Sequence, residues 1–114
     1  MGIETHRKGT LQVIRFVSDS IVESDVVATK EAVEKALMFD VRDFVFSVSA
    51  SSFSSRAVIF ELLMHCQKMI CDNNGQLLFM ETCAEGESAY RCMCETLRIP
   101  FYMKRKIMSE SKCN

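Results

Sequence analysis

The chain of 114 residues has no tryptophan, one proline and four glycines, and its 14 Lys and Arg nearly balance 15 Asp and Glu. With no excess of positive charge and no interleaving of aromatic with basic residues, the sequence lacks both the electrostatic footprint and the stacking platform of a nucleic-acid binder. Long apolar runs are missing too. The longest, Ala57 to Met64, is interrupted by Glu61 and is far too short to cross a bilayer, and the opening MGIETHRKGT has no apolar signal region. A cytoplasmic protein without direct membrane insertion is the expectation. The six cysteines (Cys66, Cys71, Cys83, Cys92, Cys94, Cys113) contain no CxxC pair, so they are read as reduced thiols rather than as a disulfide or metal framework. Internal repeats and a glycine-rich phosphate loop are also absent.

What is present is a 48% hydrophobic composition, enough for one core, and a length that would not divide into two adequate ones. Residues 3–7 and 10–17 read as two strands turning at Lys8-Gly9. In the second, Leu11, Val13 and Val17 compete with Ile14 and Phe16 for the buried face, which predicts cover on most of both sides. A helix follows over 24–38, capped by Ser24 with Asp25 in its first turn, burying Val26, Val33, Ala36 and Leu37. The strand 44–49 is apolar at consecutive positions, as expected of a strand covered on both faces.

The most informative stretch comes next. The segment VRDFVFSVSASSF ends in hydroxyls and runs directly into RAVIFELLMHCQKMICDNN, which predicts a helix over 55–72 with Ile59, Leu62, Leu63, Cys66 and Ile70 inward, Met69 at the margin, and Glu61 and Lys68 outward. Asn73-Asn74-Gly75 ends it, and QLLFME forms a strand over 76–81. Thr82 with Glu85 matches a capping box for a helix over 83–97 that buries Ala89, Met93 and Leu97. Pro100 stops that helix and Phe101–Met103 add a last strand, leaving 105–114 as a polar tail. The resulting order β-β-α-β-α-β-α-β predicts an α/β fold: a mixed, mostly parallel sheet of four to five strands packed with three or more helices.

Element order and two local patterns, FVFSVSASSFSSRAVIFELL and GQLLFMETCAEGESAYRCMCETL, resemble the sulfate-transporter and anti-sigma-factor-antagonist (STAS) domain over about residues 3–104. The resemblance implies a protein-docking module whose partner is an anti-sigma factor or another kinase-like regulator. In the bacterial antagonists the strand ends in Asp-Ser-Ser/Thr-Gly, and its first serine is phosphorylated by the partner. Matched without a gap, Ser55 stands at the Asp position, Arg56 at the acceptor, Ala57 at the next hydroxyl and Val58 at the glycine, so the chain departs from the motif at the acceptor itself. A one-residue slip makes Ser55 the acceptor and puts Ser54 at the Asp position, but it moves Glu61 onto the buried stripe. Desolvating a carboxylate there is costly, which favours the ungapped register.

Independently of the resemblance, a strand feeding a helix N-terminus leaves free N–H groups and the positive end of a dipole beside serine oxygens. Ser54 or Ser55 can fill that role simply as a helix cap. Arg56 opposes the dipole, which points to an acidic contact outside the helix. Arg56, Phe60 and Met64 recur at i, i+4 and i+8 away from the main stripe with Gln67 beside them, either exposed as an interface or covered by a neighbouring element. His65 has no second ligand at metal spacing on its helix and is read as a lone, partly buried histidine. Cys92 and Cys94 point about 200° apart on a helix and cannot share an ion.

No catalytic group, metal site or cofactor site is assigned. The leading expectation is a non-enzymatic docking module using Ser54, Ser55, Arg56, Phe60 and Met64, with Ser55 and Ser54 as phosphorylation candidates. The alternative is a small-ligand sensor binding a nucleotide or other anion at the same helix N-terminus; a thiol-redox enzyme is a distant third. Self-association is left open.

Overall fold

The computed structural model describes residues 2–17, 21–49, 56–83 and 90–105. They form β1 (Ile3–Lys8), β2 (Leu11–Phe16), α1 (Glu23–Met38), β3 (Asp43–Ser49), α2 (Arg56–Asp72), β4 (Gln76–Cys83), α3 (Arg91–Leu97) and β5 (Phe101–Arg105). This is an α/β fold with a five-stranded mixed sheet and three helices. The strands lie in chain order, β1-β2-β3-β4-β5, with only the β1–β2 hairpin antiparallel.

Strand order and burial together place the helices. Each parallel connection moves one strand in the same direction, and right-handed crossovers then put every helix on the same side. The residues beneath them are buried: Gln12, Ile14 and Phe16 on β2, Phe44, Phe46 and Val48 on β3, and Leu77, Phe79 and Glu81 on β4. Their neighbours Val13, Val45, Ser47, Leu78 and Met80 are only half-buried, and Arg15 is exposed. The expected cover on both faces of β2 and β3 is therefore corrected. Consecutive apolar residues do not distinguish a two-sided strand from one whose second face stays partly open.

Helix α2 follows its periodicity closely. Ile59, Leu62, Leu63, Cys66 and Ile70 are buried, Met69 is half-buried, and Glu61 and Lys68 are exposed. At its end the left-handed residue is Asn74 (φ 64), not Gly75. The constraint on Gly75 is space instead: a Cβ there would stand 2.5 Å from the Arg42 carbonyl oxygen and 2.8 Å from Cγ2 of Ile70. That close approach lets the Gln76 N–H reach the Arg42 oxygen at 2.8 Å, bringing β4 into line with β3.

Two helix starts differ from expectation. Helix α1 is preceded by Val22 rather than Ser24, and Asp25, in the third helical position, reaches back so that its Oδ2 accepts the Val22 N–H at 3.1 Å. The carboxylate thus satisfies the N–H of the residue before the helix, and no N-cap side chain takes the place expected of the serine hydroxyl as acceptor for the first-turn N–H groups. Asp25 and Thr29 are also buried, with the Thr29 hydroxyl donating to the Asp25 carbonyl at 2.7 Å. At the third helix, Thr82 belongs to β4, paired with Ser49 and Lys104, so it cannot cap a helix; α3 begins at Arg91 and turns Tyr90 and Cys94 inward, with Met93 and Leu97 half-buried. Ala89 and Glu85 lie outside the described residues.

Candidate functional site

In the α/β arrangement the carboxyl ends of β2, β3 and β4 converge where α2 begins. Of the residues expected there, Ser54 and Ser55 lie outside the described residues. Arg56 is the first residue of α2, and its side chain is not described. Phe60 is half-buried and Met64 is 45% exposed. Phe60 shares its flank of the helix with Gln67, whose amide donates to the Leu97 carbonyl at 2.8 Å and so ties that flank to the end of α3. The two alternatives for Phe60 thus resolve to an intermediate: the ring is partly covered, and the exposed apolar surface passes to Ala57 and Met64 beside it.

The start of α2 carries no acidic residue in its first turn. Ala57 is exposed and Val58 is 38% exposed. At the helical period Ala57, Phe60 and Met64 fall on one stripe centred about 140° from the buried one, with Phe60 on the side nearer to it. An apolar stripe on a solvent-facing flank is a feature that chain folding alone does not require. His65 is exposed rather than partly buried, because it projects about 115° away from the buried stripe. It lines a shallow groove with Lys30, Glu61, Met64 and Lys68.

At the same strand ends a recess of about 150 Å³ is lined by Arg15, Ser47 and Thr82 of the open face together with Phe16 and Val48. Register makes Arg15 the lateral neighbour of Ser47. The guanidinium is held 3.4 Å from the Glu4 carboxylate across the hairpin, with both side chains about half exposed. This grouping of one cation and two hydroxyls was not singled out from the sequence. Alternation along β2, β3 and β4 would have placed all three residues on one face had the strand order been known.

Behind the recess, on the helix side, β4 buries Glu81 completely, near Cys94 of α3. The neighbouring core is aromatic: Phe79 lies 5.5 Å from the Tyr90 ring and 6.0 Å from Phe101, and the Arg91 guanidinium stands 5.1 Å above Phe101. Burial, with a smaller contribution from Glu81, pushes the Cys94 thiol up from 9.0 to about 12. Burial likewise raises Cys66 to about 12, against a small lowering by Lys30. Such thiols are poor nucleophiles at neutral pH. Cys66, Cys71, Cys92 and Cys94 are free thiols, with Cys92 exposed and Cys94 buried on opposite sides of α3. Among the described residues no group of three or more His, Cys, Asp or Glu is placed to hold a metal ion, and no helix is long and apolar enough to cross a membrane. Comparison with protein-family models, curated proteins and solved structures gave no match.

Proposed function

We propose that this chain is a non-enzymatic docking module similar to an anti-sigma factor antagonist, which captures a kinase-like regulatory protein on the N-terminal half of α2 and thereby releases whatever that protein held. The observation that carries the reading is the apolar stripe of exposed Ala57 and Met64 with half-buried Phe60 between them. Aromatic and methionine side chains of this kind form the desolvated centres of protein interfaces. The outward position of Glu61, with Leu62 and Leu63 buried, supports the ungapped register, in which Arg56 occupies the acceptor position and an acidic partner group would complement its charge. Ser55 is the acceptor of the slipped register; phosphorylation there, or at the neighbouring candidate Ser54, would reverse docking by adding charge to the contact.

A photoreactive residue at Ala57, on the same exposed flank and used in the native host, tests the reading. Cross-linking to a kinase-like regulator that Met64→Asp abolishes is the expected result. Cross-linking that Met64→Asp leaves intact, or a partner captured only from the opposite side of the molecule, would reject it.

A second reading, an anion sensor, is favoured by the Arg15, Ser47 and Thr82 recess rather than by the helix N-terminus. Protection from thermal unfolding by inorganic phosphate, lost in Arg15→Gln, would select it.

A further inference from the structure

Strand β1 ends the sheet, and among the described residues no strand pairs with its outer edge. All its residues after Ile3 are exposed. The phase of the hairpin determines which backbone groups that edge presents. The Val17 N–H donates to the Gly2 carbonyl at 2.8 Å, so Gly2 and Val17 are a hydrogen-bonded pair. Antiparallel pairs alternate in type, and the register Glu4↔Arg15, His6↔Val13, Lys8↔Leu11 continues that phase. Glu4, His6 and Lys8 therefore spend their N–H and C=O groups on β2. Ile3, Thr5 and Arg7 point theirs outward.

We propose that this edge is a homodimer interface, in which β1 pairs antiparallel with β1 of a second copy about a two-fold axis at Thr5, making one continuous ten-stranded sheet. A two-fold axis perpendicular to the sheet keeps the helix-covered faces together, so odd residues oppose odd and even oppose even. Two registers then retain most of the strand. Centred on Thr5, the pairs are Thr5 with Thr5, Ile3 with Arg7, Glu4 with His6 and Gly2 with Lys8. Every outward N–H and C=O then finds a partner, about six inter-chain bonds in all, and no like charges stand opposite each other. Centred on His6, the outer bonds of Ile3 are lost and two histidines oppose.

The Thr5-centred register also places Glu4 and His6 in non-hydrogen-bonded pairs, where side chains approach most closely. Within one chain, His6 Nε2 already stands 3.8 Å from the Glu4 carboxylate, so the second copy would complete an alternating acid and imidazole ladder across the junction. Charged edges usually deter pairing with other chains. Here the same charges complement only their own rotated copy. The inference is independent of the α2 docking surface.

Sedimentation of the full chain over a wide concentration range, with reductant present, should show a monomer–dimer equilibrium. Glu4→Lys should shift it to monomer, and Glu4→Lys combined with His6→Glu should restore the dimer. Under mild oxidation Thr5→Cys should give far more cross-linked dimer than the unmodified protein, because the two positions face each other about 5.5 Å apart, whereas His6→Cys should not. A monomer at every concentration would overturn the proposal. So would a dimer indifferent to Glu4→Lys, or His6→Cys linking as well as Thr5→Cys.

Discussion

The Asp25 carboxylate accepts the backbone N–H of Gly2 at 3.1 Å, joining the residue before β1 to the first turn of α1. The same group accepts Val22 N–H, so one buried side chain serves two donors that the strand and helix ladders leave unused. Asp25→Ala removes both acceptors and should cost about 2–3 kcal/mol in chemical denaturation, with the loss concentrated in hydrogen-exchange protection of the hairpin and the start of α1. An effect no larger than that of an exposed carboxylate such as Glu31 would contradict this role.

Gly75→Ala should destabilise by about 1–3 kcal/mol, because its Cβ must displace either the Arg42 carbonyl or Ile70. The opposite sign is expected at Arg98. It ends α3 at φ 59, a left-handed conformation that favours glycine, so Arg98→Gly should raise the melting temperature slightly, by up to about 1 kcal/mol of stability. Together the pair separates crowding from backbone strain.

Met64→Asp places a charge on an already exposed position and should change stability by no more than about 0.5 kcal/mol while disrupting the proposed docking. Phe60→Asp is less clean. The ring is half-buried, so roughly 1–3 kcal/mol of stability should go with it, and any binding defect must be read beside the melting curve.

The thiols divide by burial. Alkylation at pH 8 of the folded, reduced protein should label Cys71 and Cys92 and spare Cys66 and Cys94, as read by peptide mass spectrometry. Both protected thiols are held near 12 in the fold against 9.0 for an ordinary cysteine. The unfolded chain therefore releases these protons first as pH rises, and their contribution to stability, full below about 9, should decline between 9 and 12. Cys66→Ala and Cys94→Ala should flatten that alkaline loss.

The buried stripe of α2 was legible in the sequence because a stripe at the helical period needs no knowledge of the rest of the molecule, whereas His65, expected to be partly buried, is exposed. Strand β4 was not legible in this way. Its continuation through Thr82 to Cys83 depends on partners in β3 and β5, whereas Thr82 and Glu85 satisfy a local capping pattern equally well. Glu81 illustrates the same limit: alternation from Leu77 through Phe79 puts it inside, against every expectation for a carboxylate. The open side of the sheet was hidden for a related reason, since one-sided cover follows from strand order, a property no single segment carries. The apolar flank of α2 was visible as a spacing, but the share of Phe60 taken by the end of α3 required the Gln67 contact.

Because every strand pairs with its neighbour in the chain, stability in this sheet passes from unit to unit much as in a solenoid, with no closing contact between first and last. Opening should begin at either margin and run inward, so β1 or β5 can exchange while the β3–α2–β4 unit stays closed. The helix proposed as a docking surface is thus mounted on the last part of the molecule to loosen, and the proposed interface at β1 could form or separate without disturbing it.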